Sequence, residues 1–94
     1  MRAGQIPMKE QRLVSLGEMA AGRRVYIRRL RGGRDFISRM TALGFTVDAE
    51  VQVIQNYGRG PLIALVRDVR VALGRGEALK VLVEEGSHDR EASH

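Results

Sequence analysis

Residues Arg34 to Phe45, RDFISRMTALGF, decide how the rest of the chain is read. Phe36, Ile37, Met40 and Leu43 fall at i, i+1, i+4 and i+7, which places them on one side of a helix with a 3.6-residue period. Asp35 is the expected N-cap, because its carboxylate can accept the free amide hydrogens of the first turn. Gly44 suits the left-handed C′ position that ends a helix, after which Phe45 folds back on the last turn. An amphipathic helix of about 10 residues is marginal alone in water, so it must lie on an apolar surface. The flanking segments are expected to supply that surface.

On the N-terminal side, residues 1 to 14 carry Gly4, Pro7 and scattered charges without a period, and read as a flexible arm. Ser15 and Glu18 have capping-box spacing, Leu16, Met19 and Ala20 give that turn an apolar side, and Gly22 ends it. In RRVYIRRLR, Val25 and Ile27 share one strand face, and Arg24, Tyr26 and Arg28 the other. Leu30 is out of phase, which a bulge would correct. Gly32 and Gly33 then turn the chain into the helix.

On the C-terminal side, Thr46 to Ala49 form a tight connection into a strand over Glu50 to Tyr57, with a phase slip at Ile54. Asn56 to Pro61, NYGRGP, is a turn-rich loop. Leu62 to Val66 is a nearly continuous apolar run, expected to be buried on both sides or covered by the helix. Asp68 best tolerates the turn between this run and the alternating Val69, Val71 and Leu73. Residues 74 to 78 make a turn or one helical turn. Leu79, Val81 and Val83 supply the closing strand, with Leu82 on a second apolar face. Residues 86 to 94 read as a disordered acidic tail.

Ninety-four residues make one domain with a single modest core, assigned to residues 15–85. The chain has no Cys, which excludes a disulfide framework, thiolate metal sites and a cysteine nucleophile. It offers no run of about 18 apolar residues for a membrane span and no apolar leader, so the expected location is cytoplasmic. The formal charge is +5, but residues 1 to 83 hold 15 basic against 7 acidic side chains, a net of +8. Such a field favours acidic partners of any kind. Short antiparallel strands at roughly 10-residue spacing suggest a small barrel. The expected fold is mainly β with short helices: an SH3-like barrel of about five antiparallel strands, with one amphipathic helix after the first. A five-stranded OB barrel is the alternative, although it usually places its helix between the third and fourth strands.

The ordered series SLGEMAAG, a basic strand, a GG turn, a helix ending RMTALGF, the strand EVQVI, a glycine and proline loop, and RVALGRGEALKVLV resembles the ferrous iron transport protein A (FeoA) family. The matching residues include Ser15, Leu16, Gly22, Gly33, Leu43, Gly44, Val51, Val53, Leu73, Glu77, Ala78 and Val83, mostly turn glycines and core positions. Three places depart from the family pattern. Val47 and Asp48 stand where Pro-Gly is frequent, Asp68 where the hairpin often has Gly, and Gly76 where a polar residue is usual. Gly76 weighs against a stable helix at 75 to 79. The resemblance implies an SH3-like fold related to the C-terminal domain of iron-dependent repressors. It also implies an accessory role beside the ferrous iron transporter FeoB, with the membrane touched only indirectly.

For iron itself, the candidate ligands are His88 and His94, both in the tail, and their spacing of six does not fit one helical face. No metal site or cofactor is therefore expected. Ser15, Ser38, Thr41 and Thr46 have no His base in the ordered region, and GRGP at 58 to 61 lacks the lysine and helix of a phosphate loop, so an enzyme is not expected. The densest feature is seven arginines between Arg23 and Arg39 against one acid, Asp35. They either contact an acidic partner or form the solvated face of a strand and helix. A role for one of them as a finger on a partner GTPase is a further reading. The partner surface is assigned to Arg24, Arg28, Arg34 and Arg39, with Phe45 and Tyr57 as apolar anchors; for Phe45, packing on Leu43 or Met40 is the competing role. Self-association is compatible with this reading. The alternative from another class is a basic small barrel that binds nucleic acid, for which Tyr26 and Tyr57 are the stacking candidates.

Overall fold

The computed structural model describes residues 13–85. The arm up to residue 12 and the tail from residue 86, with His88 and His94, lie outside the described residues. In chain order the elements are β1 (Val14–Ser15), a 3-10 turn (Leu16–Glu18), β2 (Arg24–Leu30), α1 (Arg34–Ala42), β3 (Glu50–Gln55), β4 (Leu62–Val66), β5 (Val69–Leu73), α2 (Arg75–Leu79) and β6 (Val81–Glu85). The strands form one antiparallel sheet in the order β1-β6-β2-β3-β4-β5. Six strands therefore stand where about five were expected. The extra one is β1, in which Val14 pairs with Val83, so the arm's last residue joins the sheet. Strands β2 to β5 follow one another as a meander with α1 in the β2–β3 connection, which is not the OB arrangement.

Register decides where the out-of-phase residues go. The β2–β6 ladder shifts between Ile27 and Arg29, and the β3–β4 ladder between Val53 and Gln55, the two phase slips legible in the sequence. The bulge in β2 bends the strand and returns Leu30 toward the core, whereas the one in β3 leaves Ile54 as the unpaired, half-buried extra residue. Val25, Ile27, Val51, Val53, Leu62, Leu73, Val81 and Val83 are fully buried, and Leu30 packs against them. Strand β4 alternates after all: Leu62, Ala64 and Val66 are buried, while Ile63 and Leu65 are half-buried.

Helix α1 ends as its sequence requires but begins differently. Its N-cap is Gly33, with no side-chain bond, and Asp35 sits one residue inside the first turn, where a carboxylate still complements the helix dipole. At the other end Gly44 adopts φ +98°. Its N–H donates to the Thr41 carbonyl at 3.0 Å, and that of Phe45 to Met40 at 2.9 Å, a Schellman closure that folds Phe45 into the core. The buried stripe is narrower than the sequence pattern: Phe36 and Met40 are inside, but Ile37 and Leu43 are each about two-fifths exposed. Ile37 lies about 100° round the helix from Phe36, and Leu43 is already the C-cap.

Two other local expectations change. Ser15 belongs to β1 opposite Leu82, and its side chain makes no cap bond; its hydroxyl is buried without a partner among the described residues, so no capping box forms with Glu18. Residues 75 to 79 are helical despite Gly76, whose intrinsic cost is about 1 kcal/mol. Tertiary anchors outweigh it: Ala78 is fully buried, the Gly74 N–H donates to Glu77 Oε1 at 3.2 Å, and Glu77 also pairs with Arg39. Leu79 ends this helix instead of starting the last strand, and it is partly exposed.

Candidate functional site

The arginine band is an ion-pair ladder. Arg23 pairs with Glu85, Arg24 with Glu50 at 3.0 Å, and Arg39 with Glu77. Arg28 holds two carboxylates, Glu84 through Nε at 2.7 Å and Asp48 through Nη1 at 2.5 Å, and its guanidinium lies 5.6 Å from the Tyr26 ring centre. The Glu84 hydrogen bond is the main cause of a pKa raised above the ordinary arginine value; burial opposes it, and the Asp48 bond adds to it. The acids come from β3, α2, β6 and the loop at Asp48, distant in sequence but opposite in the fold. Exposed pairs of this kind contribute about 0–1 kcal/mol each, so their larger effect is to neutralise the face.

Of the six residues assigned to partner contact, the structure thus engages Arg24, Arg28 and Arg39 internally. Phe45 is fully buried, so it serves the core and offers no contact surface. Arg34 is exposed at the start of α1 and makes no ion pair among the described residues. Tyr57 is 76% exposed.

Tyr57 stands on the β3–β4 loop, which is held at its base by a network that local sequence patterns did not suggest. Asn56 donates through Nδ2 to the carbonyls of Gly17 at 2.9 Å and Met19 at 2.7 Å, and its Oδ1 accepts from the Gly58 N–H at 3.0 Å. Arg75 donates to the same Oδ1 at 2.8 Å, to the Gly17 carbonyl at 2.8 Å and to the Gly60 carbonyl at 3.1 Å. One amide and one guanidinium thereby tie the 3-10 turn, the loop and α2 together. Gly58 and Gly60, at φ +87° and +70°, give the loop its sharp course between those ties. The only hint in the sequence was the NYGRGP turn composition; apart from Gly58, the partners are 15 to 58 residues apart.

An open depression of about 560 Å³ is lined by the Thr46–Glu50 segment together with Arg24, Gln52, Leu65, Arg67 and Asp68. Its charges are mixed. Among the described residues no group of three or more His, Cys, Asp or Glu is placed to hold a metal ion. The Asp48 backbone there has φ +74°, the conformation for which Gly is better suited, at the position where the sequence departs from Pro-Gly.

These features define a small, mainly antiparallel β domain of the SH3-like class. The chain belongs to the FeoA family, whose domain model matches residues 14–85, and the family consists of accessory proteins of ferrous iron transport. It is 29% identical over 70 residues to the Fe(2+) transport protein A of Methanocaldococcus jannaschii, covering 74% of this chain and 84% of that protein. The crystal structure of an iron uptake regulatory protein (FeoA) superposes with a TM-score of 0.75 at 32% identity, over 79% of this chain and 99% of that one. The zinc-complexed FeoA of Stenotrophomonas maltophilia, described as a prokaryotic SH3 domain protein, superposes at 0.66 with 27% identity, over 74% and 88% of the two chains. A manganese-dependent transcriptional repressor shares the fold over 87% of this chain and 40% of its own, at 18% identity and a TM-score of 0.72.

Proposed function

We propose that this protein acts on the cytoplasmic side of the membrane as a non-enzymatic partner of the ferrous iron transporter FeoB, docking on its GTPase domain through the Asn56–Pro61 loop. Family membership supports the transport role. The observation that carries the docking surface is Tyr57, exposed on a loop already clamped by Asn56 and Arg75. Tyrosine and arginine supply a large share of interface energy, and a loop ordered before binding loses little entropy when it docks. Arg59, two residues on, makes no ion pair among the described residues and adds a free cation for an acidic partner. The Stenotrophomonas relative, described as a candidate ferrous iron transport activating factor, is consistent with this role.

The arginine ladder argues against the nucleic-acid alternative, because four of its seven cations are already paired and Tyr26 is half-buried beside Arg28. Titration calorimetry with the purified GTPase domain of FeoB tests the reading. Tyr57→Ala is expected to weaken binding about 10- to 30-fold, whereas Arg28→Ala changes it less than about twofold. Unchanged affinity for both Tyr57→Ala and Arg59→Ala would remove the loop as the docking site.

A further inference from the structure

Strand β5 is one edge of the sheet, and it is five residues of Val-Arg-Val-Ala-Leu without a bulge or proline. Its hairpin fixes which backbone groups are free. Arg67 and Asp68 both have positive φ, 53° and 64°, as a two-residue type I′ turn requires. Val66 and Val69, which flank this turn, are therefore a hydrogen-bonded pair, and alternation along the ladder makes Ala64–Val71 and Leu62–Leu73 bonded pairs too. The N–H and C=O groups of Arg70 and Ala72 then point away from β4. No other described backbone group bonds to either residue, and both are exposed. Native edges are usually blunted by shortness, charge, proline or cover; here a single Arg stands guard.

We propose that this edge pairs with β5 of a second copy of the chain, antiparallel and two-fold symmetric about Val71. This register opposes Arg70 to Ala72 twice, satisfying the four free donors and acceptors with four main-chain hydrogen bonds. It sets the half-buried Val71 against Val71 and lays the exposed Val69 beside the strand end at Leu73, whose own side chain is already fully buried. The two neighbouring registers fail on chemistry. Centring on Arg70 stacks two guanidinium groups and needs Asp68, which is in the turn at positive φ. Centring on Ala72 needs Gly74, whose N–H already donates to Glu77 and whose carbonyl accepts from Ala78 at 2.9 Å. One two-fold arrangement remains, and the surface is self-complementary in it.

Four main-chain bonds and a few apolar side chains make a small interface, so the dissociation constant is expected on the order of 100 μM. Sedimentation velocity on the full chain up to about 1 mM reads it. Ala72→Glu places a carboxylate opposite Arg70 of the second copy twice, and the dimer tightens about fivefold; Ala72→Arg opposes like charges twice and weakens it by a similar factor. The double variant Arg70→Glu with Ala72→Arg restores opposite charges and returns the tightening. All these positions are exposed, and thermal melts of each variant confirm an intact fold. A chain that remains monomeric at 1 mM overturns the proposal. So does a dimer that both Ala72 variants shift in the same direction, or that the charge swap fails to restore.

Discussion

Replacing Asn56 with Ala removes four hydrogen bonds at one point: two donated to the Gly17 and Met19 carbonyls and two accepted from Gly58 and Arg75. Each net bond in a partly buried site contributes about 0.5–1.5 kcal/mol, and the bond from the guanidinium somewhat more. The terms are not additive, because Arg75 continues to hold the Gly17 and Gly60 carbonyls after the change. The expected loss is about 2–3 kcal/mol, a large part of the roughly 5–10 kcal/mol that holds a domain of this size. Urea unfolding followed by circular dichroism measures it, with an unchanged m-value showing that the native state stays compact. Hydrogen exchange should show the loss concentrated at residues 17–19 and 56–60. Asn56→Asp is the discriminating companion. It keeps the acceptor for Arg75 and Gly58 but turns two donor contacts into oxygen facing oxygen, so it should lose at least as much as the Ala variant. A loss below about 0.5 kcal/mol for Asn56→Ala, or wild-type stability for Asn56→Asp, would refute the network as a structural clamp.

Asp68→Gly relieves a left-handed residue in the β4–β5 turn at the expense of some unfolded-chain entropy, for a net gain of about 0.5 kcal/mol and a Tm increase of about 2–4 °C by calorimetry. Gly32→Ala is expected to destabilise by about 1–3 kcal/mol in the same assay, since the new Cβ would stand 2.4 Å from Phe36 Cδ2 and 2.8 Å from Cγ, and Phe36 is packed in the core. Arg28→Ala should cost less than about 1 kcal/mol in denaturant unfolding, and the difference should shrink in about 1 M NaCl, because its ion pairs are exposed to solvent and screened.

The parts of the fold that were legible in the sequence depend on near neighbours. The Gly44 closure of α1 and the bulges after Ile27 and Val53 each follow from a few adjacent residues: a glycine after an amphipathic run, or a phase slip in an alternating one. The errors came from a competing near neighbour in some places and from a distant residue in others. Asp35 suited an N-cap, but Gly33 holds that place and begins the helix earlier. Gly76 argued against α2, but Arg39, 38 positions from Glu77, helps to anchor it. Phe45 carried two readings, partner anchor and packing on Leu43 or Met40; it is buried in the core with Met40, where the Schellman motif closes through it, so the anchor role fails.

The arginine band shows the same effect at the candidate site. Counted along the chain, seven cations face one acid between residues 23 and 39. Counted across the sheet, Glu50, Glu84 and Glu85 lie on the neighbouring strands, the last two at the end of β6. Pairing leaves Arg29, Arg31 and Arg34 of the band without an ion pair among the described residues, and outside it loop and edge positions such as Arg59 and Arg70. Those two positions serve different contacts. The β3–β4 loop lies at the Leu73 end of β5, since Leu62 pairs with Leu73, whereas the proposed two-fold passes through Val71. Antiparallel pairing about that axis sends the two Tyr57 loops toward opposite ends of the joined strands. Docking by Tyr57 and self-association through Arg70 and Ala72 therefore draw on separate residues, and substitutions in one leave the chemistry of the other intact.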